Sequence, residues 1–118
     1  MANGFTNLNI RVAGVLNTLD MPVYHDNAPE NGVYPVLQYQ SLTESPALQA
    51  DNKTVAREVI IRVTLINNTP VGREEIKNSV IEAMENEGFM WQNTNTVRDK
   101  NEYYTAIDFS IGEERNYV

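Results

Sequence analysis

The chain has 118 residues, 42% of them hydrophobic, which suits one globular domain, so we expect a single domain over residues 1–118. Nine basic residues stand against 16 acidic ones. The net charge of −7 argues against binding to a nucleic-acid backbone, which basic clusters drive. The absence of cysteine excludes disulfides, thiolate nucleophiles and cysteine-ligated zinc.

The two ends and the apolar runs carry no targeting or membrane signal. No apolar run approaches the roughly 18 residues of a membrane-spanning helix. Residues 1–6 lack the basic and apolar regions of a signal peptide, so we expect neither a signal peptide nor a membrane partner. Residues 113–118 are charged and aperiodic, and we expect a frayed C-terminal tail there.

The first predicted element is an amphipathic helix, which Thr6 or Asn7 can cap. Its apolar residues recur at the spacing of one helix face: Leu8, Val12, Val15, Leu16 and Leu19. Pro22 ends this helix, because the residue before a proline disfavours the helical conformation. A short strand over residues 22–25 and a loop over residues 26–32 follow.

A second strand is predicted over residues 34–40, with Pro35 at its start or on a sheet edge. Residues 42–54, which we call the arm, have no usable period and contain turn signals. We predict a long loop there, because the segment exceeds the usual hairpin connection. Such a loop either reaches toward a neighbouring molecule or has a disordered tip, and the residues favour neither alternative.

The strongest β-type pattern covers residues 56–66, and we predict that this segment is the central strand of the sheet. Its apolar residues alternate on one face: Val59, Ile61, Val63 and Leu65. The opposite face mixes charged and apolar side chains, with Glu58 and Arg62 among them. We therefore expect that face to be half covered or to meet a partner.

A second helix is predicted after a turn at residues 67–70, with Thr69 as its N-cap and Pro70 at its first position. Its apolar stripe consists of Ile76, Val80, Ile81, Ala83 and Met84. Gly88 is placed to end the helix in the left-handed conformation. A short strand over residues 89–92, a polar and turn-rich segment over 93–102 and a closing strand over 103–111 complete the predicted elements.

The order of these elements predicts an α+β fold. We expect two layers, in which a four- to five-stranded, mainly antiparallel sheet is covered on one face by two helices. Every strand-to-strand connection is compatible with antiparallel pairing.

The residues show no catalytic pattern, and we expect the protein not to be an enzyme, to need no cofactor and to bind no metal. His25 is the only histidine. With Asp26 and Glu30 it makes a weak ligand set, since catalytic zinc takes three protein ligands. A strand-end histidine with a local hydrogen bond is the simpler interpretation. The glycines match neither the dinucleotide-binding nor the P-loop spacing.

The pattern as a whole resembles the tail terminator, or tail completion, proteins of long-tailed bacteriophages, the group that includes the lambda tail terminator. The resemblance covers nearly the entire chain and lies in the order and spacing of its blocks. These blocks are MPVY at 21–24, NAPE at 27–30, YPVLQY at 34–39, EVIIRVTL at 58–65, a helix with Ile76, Val80 and Met84, the Gly88-Phe89 turn, and YYTAIDFS at 103–110.

The resemblance implies a structural virion protein. Such proteins form a homo-oligomeric ring, hexamer-like in this family, on the head-proximal end of the tail tube. The ring stops polymerisation of the tube and provides the head-tail joining surface. The implied partners are other copies of the chain, the major tail tube protein and the head connector or head-closure protein, while DNA only passes through the lumen. The implied location is the virion tail, with the host cytoplasm during assembly.

Candidate residues for the oligomer or tube interface lie in the arm and among the arginines. The arm supplies Glu44, Gln49, Asp51 and Lys53. Candidates for ion pairs with carboxylates of a neighbouring subunit are Arg57, Arg62, Arg73 and Arg98. The alternative for each residue is an exposed charge of little energetic worth.

Two other functions fit the same residues. One is another head-tail connector or minor tail protein. The other is a small ligand-binding regulatory domain that dimerises through its sheet.

Overall fold

The computed structural model describes residue 5 and residues 7–29, 33–50 and 53–114 of the chain. The helices are α1 (Leu8–Leu16) and α2 (Arg73–Asn86), and a short 3₁₀ helix, Asn17–Leu19, continues α1. The strands are β1 (Val23–His25), β2 (Val36–Ala50), β3 (Lys53–Asn67), β4 (Met90–Asp99) and β5 (Glu102–Glu114). This two-layer α+β arrangement is the predicted fold class. Neither α-helix among these residues has the length and apolar character to cross a membrane.

The two helices lie on one face of the sheet, and their apolar stripes form the helical side of the core. Asn7 caps α1, because its Oδ1 accepts the N–H of Asn9 at 3.1 Å. The other candidate cap, Thr6, lies outside the described residues. Leu8, Val12, Val15 and Leu16 of α1 are buried with Val80 and Met84 of α2. The helices therefore bury their faces against the sheet, as predicted from their spacing.

The sheet has the order β1-β2-β3-β5-β4, so β3 is the central strand, as predicted. Val59, Ile61, Val63 and Leu65 alternate toward the helices and are at most 2% exposed. Val63 lies opposite Tyr39 on β2 and Ile107 on β5. These cross-strand neighbours extend the apolar layer over three strands, which is why the alternation in β3 is so regular.

One pairing differs from the all-antiparallel expectation, because β1 is parallel to β2. Both strands run in the same direction, and residues 26–35 connect the end of β1 to the start of β2. The N–H of Asp26 donates to the carbonyl of Tyr39 at 2.9 Å, and the N–H of Leu37 donates to that of Pro22 at 2.9 Å. These bonds hold β1 as a short outer strand.

The arm is a β-hairpin, so the prediction of a long loop at residues 42–54 is wrong. Strand β2 continues to Ala50, and β3 begins at Lys53. Register shifts after Ser41, Pro46 and Leu48 interrupt the alternation of β2. Because residues 41–50 are all exposed, they also carry no apolar pattern from which a strand could be recognised. Asp51 and Asn52 lie outside the described residues.

Strand β4 is longer than predicted, and the turn-rich assignment of residues 93–102 is wrong. The strand runs from Met90 to Asp99 and pairs with β5 along its length. It is an edge strand in which only Thr94 is partly buried, so it carries no alternating apolar pattern from which its length could be recognised.

The prediction of a frayed tail from residue 113 is wrong for Glu113 and Glu114, because β5 includes both residues. Residues 115–118 lie outside the described part of the chain.

The ends of α2 give one correct and one incorrect prediction. The helix begins at Arg73 after Gly72, which has a φ of 77°, so Thr69 is not its N-cap. Thr69 instead accepts the N–H of Val71 on its Oγ1 at 3.3 Å. Gly88 ends the helix at a φ of 93°, as predicted. Its N–H donates to Glu85 at 3.0 Å, and the N–H of Phe89 donates to Met84 at 3.1 Å, which satisfies two terminal carbonyl groups.

Candidate assembly surfaces

The face of the sheet opposite the helices, which we call the open face, carries a bidentate ion pair near its centre. Arg62 Nε donates to Asp108 Oδ1 at 2.8 Å, and Arg62 Nη2 donates to Asp108 Oδ2 at 3.0 Å. The two residues are register partners on β3 and β5. This hydrogen bond and the carboxylate charge raise the pKa of Arg62. Arg62, predicted to pair with a neighbouring subunit, is thus paired within its own chain.

Arg57 has an internal partner as well, on the helix side of the sheet. Its Nε donates to Glu113 Oε1 at 2.8 Å, and its Nη1 lies 3.4 Å from Glu44 Oε1. The guanidinium carbon lies 4.6 Å from the centre of the Phe5 ring. Arg57 and Glu113 are only 12% and 10% exposed, so Arg57 ties the chain start to the base of the arm. Glu44, at 58% exposure, remains on the surface.

The other two candidate arginines converge on one aromatic ring. The guanidinium carbons of Arg73 and Arg98 lie 5.2 and 5.5 Å from the centre of the Tyr103 ring. Arg98 is the register partner of Tyr103 across β4 and β5, and Arg73 is the first residue of α2. The structure therefore brings together two of the four arginines that the sequence singled out and separates Arg57 and Arg62 from them.

The tip of the arm projects from the body of the molecule. The described molecule measures 52 × 25 × 24 Å along its principal axes. Among the described residues, the pairing of β3 with β5 ends at Ala56, which lies opposite Leu48 of β2. Residues 48–50 and 53–55, the tip of the arm, continue beyond it as a two-stranded ribbon. Gln49 is exposed on this ribbon opposite Thr54. Asp51 and the side chain of Lys53, two further candidates, lie outside what the structure describes.

Strand β4, of which only the start was predicted, carries an exposed apolar surface that was not among the sequence-based candidates. Three large apolar side chains on it face solvent: Met90, Trp91 and Val97 are 63%, 48% and 54% exposed. The Trp91 Nε1–H donates to the Thr94 hydroxyl at 2.9 Å, which fixes the indole against its own strand. Two features of the sequence could have indicated a contact surface here. The run MWQNTNTV at 90–97 has no charge, and it contains an amphipathic indole.

A cavity of about 200 Å³ lies on the open face, where residues 27–29 and 33–34 cross the ends of the strands. Tyr34, Gln38, Glu102 and Tyr104 contribute polar groups to its lining. The hydroxyl of Tyr104 donates to Glu102 Oε2 at 3.1 Å. Burial raises the pKa of Tyr104 above its ordinary value of 10.0, and the hydrogen bond to Glu102 and nearby negative charge raise it further.

We expect the free energy of unfolding to fall as the pH rises above about 10, and the substitution Tyr104→Phe to reduce that fall. Because the folded-state pKa is raised, the unfolded chain ionises first. The stabilisation is complete below the ordinary pKa and is lost as the pH rises through the folded-state value. Urea unfolding at several alkaline pH values measures the slope. An unchanged slope in the Tyr104→Phe protein would contradict the assignment.

The only histidine has a local environment at the end of β1. The His25 ring stacks on Tyr39 with 5.0 Å between ring centres, and its Nε2 lies 3.6 Å from Asp26 Oδ1. Within the described residues, no group of three or more histidine or carboxylate side chains is arranged to hold a metal ion.

Comparison with known proteins adds little to this geometry. No protein-family model and no curated protein matches the chain. A solved structure whose recorded name states no function covers 94% of this chain and 89% of its own, with 13% sequence identity and a TM-score of 0.46. At that level the likeness assigns neither a family nor a function.

Proposed function

We propose that this chain is a structural virion protein that forms a ring on the head-proximal end of the tail tube of a long-tailed phage. The ring stops growth of the tube and presents the surface to which the head joins. The proposal rests on the block order described in the sequence analysis and on the surfaces described above. It requires no substrate and no cofactor.

The exposed arm, with its projecting tip, is the observation that carries the proposal. A hairpin whose residues 41–50 are all exposed adds little buried area to its own domain. Its sequence is nevertheless ordered into two paired strands with a defined register. An ordered, exposed ribbon is well suited to contact a neighbouring subunit or the last ring of the tube. The arm therefore supports a protein that functions by assembly.

The charge distribution agrees with the same interpretation. The chain carries a net charge of −7, and three of its nine basic residues, Arg57, Arg62 and Lys77, form ion pairs with carboxylates of the same chain. A ring of such subunits has a strongly negative surface overall. DNA passing through a negative lumen is repelled from the wall, so it moves without adhering.

Light scattering over a wide concentration range, combined with negative-stain images of the same fractions, tests the proposal. We expect closed rings with a central hole, whose mass gives the copy number. A closed two-fold dimer would contradict the ring and favour the regulatory domain that dimerises through its sheet.

If the protein is a monomer at every concentration, the ring is expected to form only on the tube as a template. In that case the protein is added to the polymerising major tail tube protein of the same phage, and tube lengths are measured. A terminator shortens the tubes in proportion to its concentration. Tube lengths that do not change would contradict the proposal.

A further inference from the structure

Among the described residues, one side of the sheet ends in β4, and the other ends in β1 and in the part of β2 that β1 leaves uncovered. Strand β4 and that part of β2 differ in sequence and position. One edge is β4, the last strand in the order β1-β2-β3-β5-β4. The other is the part of β2 beyond β1, because β1 pairs only with Leu37, Gln38 and Tyr39. From Gln40 onward, β2 therefore has no strand on its outer side within the described residues. We call this part, residues 40–50, the outer edge of β2.

Edge strands present unpaired backbone groups, and proteins usually protect them with charges, prolines or short length. Strand β4 has ten residues, and its first eight carry no charge and no proline. Its exposed apolar side chains are Met90, Trp91 and Val97. The outer edge of β2 has one charged residue, Glu44, and one proline, Pro46. Both edges are poorly protected for a chain in which 21% of residues are charged.

We propose that β4 of one copy pairs with the outer edge of β2 in the next copy and thereby continues the sheet from subunit to subunit. This inference rests on the proposed ring, and it names the contact that closes it. A contact between two different edges is heterologous, and repeated heterologous contacts generate a ring when the rotation closes.

The strand directions fit this pairing. Each of the pairs β2–β3, β3–β5 and β5–β4 is antiparallel, so β4 runs opposite to β2. When neighbouring copies keep the same strand direction, as they do around an axis along the strands, β4 meets the next β2 in antiparallel orientation. The junction then has the same geometry as the pairs within each subunit.

Side chains on these edges also fit a shared surface. In register, Asn93, Asn95 and Val97 of β4 lie on the open face, since their partners on β5 are Asp108, Ala106 and Tyr104. Thr43 of β2 lies on the same face, because it pairs with Ile60. Leu42 and Leu48 of β2 are 38% and 59% exposed, and a partner strand would cover part of them together with Val97. Pro46 has no N–H to donate and interrupts the pairing at one position. The cross-linking test therefore places its β2 cysteine at Thr43, which precedes Pro46 in the strand.

Cysteine cross-linking tests this pairing cleanly, because the natural chain contains no cysteine. Three double variants combine Thr43→Cys with Asn93→Cys, Asn95→Cys or Val97→Cys. Facing residues in antiparallel strands lie within the range of a disulfide. We expect mild oxidation to give at least one of the three variants a ladder of covalent oligomers. The matched control combines Thr43→Cys with Asn78→Cys on the exposed side of α2, and we expect it to stay uncross-linked.

The single variants separate this inference from the alternatives. Heterologous pairing predicts that Asn95→Cys alone forms no covalent dimer, whereas a two-fold β4–β4 contact predicts an efficient one. Rings in negative stain without any β4–β2 cross-link would overturn the inference and leave the proposed function intact. Efficient dimers of the single variant without rings would overturn both. Absence of cross-links in all three double variants overturns the inference whatever the oligomeric state.

Discussion

Replacing Phe89 with alanine lowers the expected free energy of unfolding by about 3–5 kcal/mol. The ring is 1% exposed and belongs to the core between the helices and the sheet. Its removal leaves a cavity at the point where α2 ends and β4 begins, and the backbone there is fixed by the bond from the Phe89 N–H to the Met84 carbonyl. The site therefore has little freedom to collapse, which places the cost in the upper part of the range for large-to-small substitutions.

The same ring also supports the contact between α1 and the end of α2. The guanidinium carbon of Arg11 lies 5.3 Å from the ring centre, and Arg11 Nη2 donates to the Glu87 carbonyl at 3.0 Å. Urea unfolding followed by far-ultraviolet circular dichroism measures the loss. The matched control is Val71→Ala in the turn before α2, which is 78% exposed and is expected to change stability by at most about 0.5 kcal/mol. Equal effects of the two substitutions would contradict this account of the core.

Replacing Arg57 with methionine is expected to cost about 3 kcal/mol, because it leaves the Glu113 carboxylate largely buried without the guanidinium that it faces. The pair is 12% and 10% exposed, so water compensates the lost charge poorly. The contact with the Phe5 ring is lost at the same time. A double variant with Glu113→Gln is expected to recover most of the loss, because it removes the buried charge as well.

The matched control for Arg57 is Lys77→Met on α2. Lys77 Nζ donates to Glu74 Oε1 at 2.9 Å, but Glu74 is 70% exposed, so this pair is worth less than about 0.5 kcal/mol. Urea unfolding compares the four proteins under one condition. A loss at Arg57 no larger than the loss at Lys77 would contradict the claim that the Arg57 pair anchors the base of the arm.

The elements that face the core could be predicted from the sequence. Val59 and Ile61 alternate because one face of β3 is buried, and Val12 and Leu16 recur because one face of α1 is buried. Gly88 could be predicted because only a left-handed residue ends α2 in this way. Burial of one face gives the apolar residues of a segment a regular spacing in the sequence. That spacing can be recognised without knowing what the segment packs against.

The elements that face solvent could not be predicted in the same way. Asn93 lies in the edge strand β4, and Leu42 lies in the part of β2 that β1 does not reach. Each of these segments has one neighbouring strand among the described residues, so its side chains are not selected for burial. The pair of Arg57 and Glu113 spans 56 positions and depends on the register of β3 against β5, which one sequence does not specify. These gaps coincide with the arm and with β4, the surfaces on which both proposals depend.

The order of the strands has a consequence for how the chain folds. β2 with β3, and β4 with β5, are hairpins of neighbouring segments, and such units form within microseconds. The seam between β3 and β5 joins the two hairpins and encloses α2 in the loop that it closes. Closing that loop costs entropy before the contacts of the seam repay it, so we expect the main barrier to folding to lie there. Until the seam forms, the central strand β3 is paired only with β2 and is therefore an edge strand of that hairpin.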